Sequence, residues 1–369
     1  GETQINISGG TIEDAESRDG GAGIGGGKNS SGETNVNITG GKVNASTGYG
    51  NGGAGIGSGE RAKGETHITI RNASVSTLET PAASTNTSGA GIGTGYGSQS
   101  NADITIERNS TVNAVGGSGA AIGSEGGVFS PPTGDPNTFK TIIRITDSNV
   151  TASSGLSAAI GSGSYSTNAT EIHINGGTIN ASSSSGSGIG SGDSAKGKTD
   201  IHITGSNVTA TADIGTGIGS GTSSSGETTI NISGGTIKKA TGGGDGYDGS
   251  AGIGSGSHST GDTHITLHGG VTVITATGGG DFSLGGGGGA GIGSGNRAKG
   301  NTDILIKGAT KVTAKGGSTA AGIGSGNGSN GSTIINIEGG TITAEGGGKE
   351  NGSCQASGAG IGSGGNALN

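Results

Sequence analysis

Residues 170–192 read TEIHINGGTINASSSSGSGIGSG, and the folding of this stretch decides the folding of the whole chain. Ile172 and Ile174 alternate with His173 and Asn175, and Ile179 and Ala181 alternate with Thr178 and Asn180. A period of two in β-branched and polar residues is the signature of a strand with one buried face. A third apolar residue, Ile189, is set between two glycines. The phrase around it returns along the chain with its isoleucine at Ile24, Ile56, Ile92, Ile122, Ile160, Ile189, Ile218, Ile253, Ile292, Ile323 and Ile361. The mean spacing is about 34 residues, a solenoid-class period. Three short strands per period leave no room for a helical crossover. The expectation is an all-β chain, a right-handed three-sided parallel β-helix (solenoid) of about eleven turns, right-handed because parallel connections wind that way by default. Stacked at about 4.8 Å per turn, it makes a rod of about 50 Å.

Composition agrees with a narrow core lined by Ile, Val, Ala and Thr. Glycine supplies 92 of 369 residues, aromatics are 2 %, and Met and Trp are absent. Such a chain cannot fill a wide globular interior, where large side chains supply most of the buried area. Glycine and strand-type alternation also exclude a helical repeat of the same period. The formal charge of −8 argues against nucleic acid, which needs gathered Lys and Arg. No apolar run reaches membrane-spanning length, so no membrane insertion is expected. The single cysteine, Cys354, excludes an intrachain disulfide framework. Residues 1–369 read as one β-helix domain that begins in mid-pattern, as a segment of a longer exported protein would.

The links between strands carry their own signals. From each Gly-Ile-Gly isoleucine to the next Ile-x-Ile strand the step is 12 residues in nine of ten cases. Glycine stands four residues before that strand's first apolar residue at Gly32, Gly64, Gly197, Gly226, Gly261, Gly300 and Gly331, with Asn168 in the same place once. Glycine or asparagine there points to a backbone with φ > 0. The exception in length lies between Ile122 and Ile143, where an insertion of about nine residues falls within an inserted loop at 125–140. That loop holds three of the four prolines and two of the three phenylalanines. A Pro-stiffened loop on a regular scaffold is a common place for function.

Five features are candidates for chemistry. Tyr96 and Tyr165 fall in the same corner two turns apart, and Phe129 and Phe139 belong to the insertion between them. Rings gathered on one edge would stack on sugar faces, because they offer flat apolar area at low entropic cost. On the adjoining Ile-x-Ile face, outward positions on three successive turns hold Arg144, then Glu171 with His173, then Asp200 with His202. Paired carboxylates would suit glycoside chemistry, and His with Asp would suit a metal, but both need a concave, partly dry pocket. As polar partners to the aromatic edge the same residues need none. Residues 243–248, GGDGYD, fit a calcium-turn consensus once, with Asp245 and Asp248; Asp281 falls in the corresponding loop of the next turn. No cofactor is expected; calcium is a weak candidate, because such turns bind it by stacking consecutive copies and the consensus is matched only once. Thr and Asn project in ranks from the second strands, such as Thr111/Asn113 and Thr178/Asn180, similar to an ice-binding face, and Glu13, Lys42, Lys238 and Lys311 interrupt them. Finally, the Gly-Ile-Gly strands offer a face almost without side chains, open to lateral self-association unless loops lie over it.

The tandem GAGIGSG … ETxIxIxGGTIxA pattern resembles the repeat regions of bacterial cell-surface and adhesin-like proteins, including β-helical carbohydrate-binding modules. The resemblance spans essentially the whole chain. It implies an extracellular, cell-surface location on a bacterium and a glycan or host-surface glycoprotein as partner. It brings no catalytic residue: pectate-lyase-like enzymes share the β-helix, but their acidic calcium cluster and catalytic base have no match at these positions. The expected function is therefore non-catalytic adhesion through the aromatic edge. A passive stalk, a polysaccharide-degrading enzyme and an ice-binding face are the alternatives.

Overall fold

The computed structural model describes residues 1–17, 19–47, 52–79, 89–126, 135–244, 248–280, 286–348 and 357–367. Each turn contributes three parallel strands, in turn 1 Thr3–Ile7, Thr11–Ser17 and Ile24–Gly25. The strands stack into three sheets of eleven, each in strict order along the chain. The result is a three-sided parallel β-helix of eleven turns.

Register follows the aliphatic pattern. In the first sheet Ile143 pairs with Ile172 and Ile172 with Ile201, while Ile145, Ile174 and Ile203 form a second inward column. In the second sheet Val150, Ile179 and Val208 align, as do Ala152, Ala181 and Ala210. In the third, Ile24 pairs with Ile56 and Ile56 with Ile92. Because side chains alternate across a strand, one such register buries the inward aliphatic columns and turns their polar neighbours, such as His173 and His202, outward. These columns form a single continuous core in which most members are fully buried. At the two ends the inward side chains lack a covering turn, and Ile337 and Ile361 are exposed.

The third strand is a tight curl rather than a flat face. The N–H two residues before its isoleucine donates to the carbonyl two residues after it, as from Ser187 to Ser191 (3.2 Å) and from Ala251 to Ser255 (3.1 Å). The glycine after the isoleucine has φ near +140° in turn after turn, 140° at Gly190. The serine that follows does a second job. Its Oγ accepts an N–H from the corner of the next turn, as Gly192 donates to Ser162 (3.2 Å), Gly221 to Ser191 (2.9 Å) and Gly256 to Ser220 (3.1 Å). Buried donors at a corner need such a partner, and a hydroxyl supplies it where no carbonyl reaches. The phrase GIGSG is thus a backbone device, glycine for conformation and serine for hydrogen bonding.

One expectation about the corners is corrected. Gly64, Gly226, Gly261, Gly300 and their equivalents do not have positive φ. They are glycines because the turns approach closely there: a Cβ on Gly226 would lie 2.0 Å from the carbonyl oxygen of Gly197, and one on Gly300 2.0 Å from that of Gly261. Positive φ falls instead five residues after the isoleucine, at Asn29, Arg61, Gly97, Tyr165, Ser194, Ser223, His258 and Arg297. There the N–H donates to the neighbouring turn, Ser194 to Thr222 (2.8 Å) and His258 to Asn296 (2.9 Å).

Candidate functional site

The corners that follow the third strands of turns 3, 4 and 5 hold Tyr96, the insertion and Tyr165. Tyr165 occupies the positive-φ position, with φ 59°, and its N–H donates to Asp193 O (2.8 Å). Left-handed backbone is uncommon for a bulky residue. Here the stack imposes it, since the equivalent residues of other turns share it. Tyr96 is displaced by one position: its N–H donates to Gly52 O and its carbonyl accepts from Arg61 N (2.7 Å), while Gly97 beside it takes the positive-φ place. The tyrosines therefore share a corner but not a column. Both are half-buried.

Between them, the returning leg of the insertion is stitched to the rod. Asn137 N–H donates to Thr167 O (2.7 Å), Asn137 Oδ1 accepts from Lys198 N (2.7 Å), and Phe139 O accepts from Ala169 N (2.9 Å). Phe139 is half-buried and leads directly into Lys140, the first residue of the strand Lys140–Thr146. Phe129, like Asp245 and Asp281, lies outside the described residues.

The polar ladder begins where the aromatic edge ends. Arg144 pairs in register with His173 and His173 with His202, and Glu171 pairs with Asp200. The two imidazoles stack with centroids 5.0 Å apart and planes 7° from parallel. Glu171 is held by Lys140 from the preceding turn and by His173 on its own strand. These hydrogen bonds, Lys140 foremost, outweigh a small burial effect and push its carboxyl down to about 2. Arg144 is paired with Asp103 (2.5 Å), and Lys198 bridges Asp200 (3.5 Å) and Glu227 (3.4 Å). Those two carboxylates, Asp200 foremost, raise the lysine further. Each charge in the ladder thus has its own counter-charge on a half-exposed face. A carboxyl at about 2 stays ionised at neutral pH, the opposite of a general acid. The nitrogen lone pairs of an imidazole lie in its ring plane, and the planes of His173 and His202 are stacked 7° from parallel, so the two rings as placed do not converge on one ion. Among the described residues no cluster of three or more metal-ligating side chains occurs.

The other candidates take these places. Asp248 accepts from Asn296 Nδ2 and pairs with Arg297 (3.5 Å), with His258 Nε2 at 3.8 Å, so its oxygens are already engaged by side chains. The Thr/Asn ranks run in unbroken register from Thr111 through Asn149 and Thr178 to Asn207. A bulge at Lys238–Lys239 then breaks them. The glycine face is covered, as the alternative to an open face expected: in turns 2–10 the glycines flanking the third-strand isoleucines are buried. The chain arriving from the second sheet covers them, so that a Cβ on Gly188 would meet Thr211 N at 2.9 Å.

One residue escaped sequence reasoning. Glu125 is 7 % exposed, and burial lifts its carboxyl to about 7 against a smaller opposite effect of the Gly97 N–H. The signal was present, because corner 4 alone ends its GIGSG phrase in glutamate.

A family model described as a beta helix repeat matches residues 5–28, 36–60, 143–164, 172–193, 230–257, 304–327 and 335–365. Each match starts at an inward residue of a first strand and ends beyond the third strand of the same turn, one coil at a time. No curated protein and no solved structure gives a significant match. Matches on seven of the eleven turns, the first and the last among them, together with three sheets of eleven parallel strands, support reading this chain as a parallel β-helix repeat protein.

Proposed function

We propose that the rod is a non-catalytic binding module of a bacterial cell-surface protein, displayed outside the cell, and that it holds a glycan chain along the edge of turns 3 to 7. The observation that carries this reading is the junction at Phe139 and Lys140. There the half-buried aromatic edge runs without a gap into a ladder of hydrogen-bonding groups, Lys140, Glu171, His173 and His202. Rings supply apolar area for the sugar face, and fixed polar groups beside them read hydroxyls. The ladder is charge-compensated, which favours a neutral or mildly charged ligand over a polyanion. Its ionised Glu171 supports binding over hydrolysis.

Tyr165→Gly tests this better than an alanine change, because glycine suits the positive φ of that position and keeps the corner intact. On a glycan and mucin array, Tyr165→Gly and Phe139→Ala are expected to lose most of the wild-type signal with unchanged circular dichroism. Signal that survives both changes, or an array on which the wild type binds nothing, refutes the reading in favour of a passive stalk.

A further inference from the structure

Ten of the eleven turns place glycine three residues after the third-strand isoleucine, and turn 4 places Glu125 there. Its backbone keeps the glycine geometry. The N–H donates to Thr94 Oγ1 (3.0 Å), as the glycines of other turns donate to serine. Its carbonyl lies so close to the next turn that a Cβ on Gly163 would be 1.7 Å away. The side chain is thus an addition to a corner already in close contact with the turns on either side, and it is more than nine-tenths buried.

The carboxyl accepts from Gly97 N–H in corner 3. Thr94 and Gly97 of corner 3 contact Glu125 on one side and Gly163 of corner 5 lies against its carbonyl on the other. Next to it, Gly126 packs against Ser118 O of its own turn and Ser157 Oγ of the following one. Arg61 approaches Gly97 with its Cγ, and its charge is paired with Glu60 at 3.5 Å, which Lys28 also holds at 2.6 Å. Burial is accordingly the dominant influence on Glu125, with the Gly97 amide as partial compensation. A carboxylate held there without a cation is costly.

We infer that corner 4 is a proton-controlled joint in the rod, closed against corner 3 while Glu125 is neutral and opened when the ionised carboxylate leaves for water. The proton is released to solvent, and opening separates Glu125 from Thr94 and Gly97. Protonation favours the closed form, so closure is complete below the ordinary carboxyl range near 4.5 and weakens as pH rises through about 7. The joint separates the corners that hold Tyr96 and Tyr165, but it is a property of the protein alone and stands whether or not the glycan reading does.

Hydrogen exchange of the 94–98 and 122–126 amides, corrected for intrinsic rates, reads the opening directly. Between about pH 5 and about pH 8 the opening equilibrium of the wild type is expected to rise on the order of 50-fold, with distant corners unchanged. Glu125→Gln, which keeps the size and removes the charge, should be flat over that range. So should Glu125→Gly, which restores the pattern of the other ten turns and guards against a glutamine variant that fails to fold. A wild type without this rise, or variants that follow the same pH course as the wild type, overturns the inference. Neither result bears on ligand binding, which the array decides separately.

Discussion

Gly190→Ala tests the physical basis of the stack. A Cβ at Gly190 would lie 1.8 Å from the carbonyl oxygen of Gly219 in the next turn, and the backbone there has φ of 140°. The conformation alone costs an L-residue about 1–3 kcal/mol. The clash adds more, because that oxygen also accepts the N–H of Ser191 at 3.0 Å. Moving the turns apart far enough to seat a methyl breaks this bond and leaves a buried donor and acceptor unpaired, about 1–3 kcal/mol further. The sum is about 2–6 kcal/mol, localised at the junction of turns 6 and 7. Gly270→Ala is the control: φ is 75° but a Cβ there would meet nothing within 4 Å, so only the backbone cost of about 1 kcal/mol applies. Urea titration followed by circular dichroism gives the midpoints. Hydrogen exchange then shows whether the loss is confined to turns 6 and 7, as nearest-neighbour stacking requires. Equal midpoints for the two variants would refute the claim that inter-turn contact, rather than conformation alone, dictates glycine in the third strand.

Two further outcomes follow from the corners and the ladder. Ser191→Ala removes the acceptor of Gly221 N–H (2.9 Å) and should lower stability by about 1–3 kcal/mol in the same urea assay, although it deletes a single oxygen. At Glu171 the folded carboxyl is depressed to about 2 from 4.5, so its contribution is fully present above 4.5 and is lost as pH falls through about 2. Acid titration of wild type and Glu171→Gln should therefore show a stability difference near neutrality that shrinks below pH 4.5 and closes near pH 2, small throughout because solvent screens the pair.

How far the sequence reaches is set by what kind of constraint a residue obeys. Ile24, Ile56 and Ile92 were readable as one column because an inward aliphatic must repeat with every coil, and a repeat leaves a period. The meeting of His173 with His202 was readable for the same reason, since outward residues ride on the register of inward ones. Corners obey a different rule. Their residues answer to the backbone of the neighbouring turn, which sequence does not display, and glycine meets two separate demands there with one letter. Gly226 is small because Gly197 O is close, whereas the left-handed position belongs to residues as unlike as Tyr165, Ser194 and Arg297. Sequence placed Tyr96 and Tyr165 in the same corner, as they are, but not their relative register, in which Gly97 is the counterpart of Tyr165. Glu125 shows the consequence most sharply. In an irregular corner a glutamate reads as the start of a solvated loop, yet its N–H is bound into the hydroxyl ladder and its carbonyl is close against Gly163, so the stack fixes its backbone before its charge has any say. In a solenoid, then, a departure from the repeat is informative in proportion to how tightly the neighbouring turns hold that position. That ranks Glu125 above the exposed charges of the ladder as the place where one side chain can change how the rod behaves.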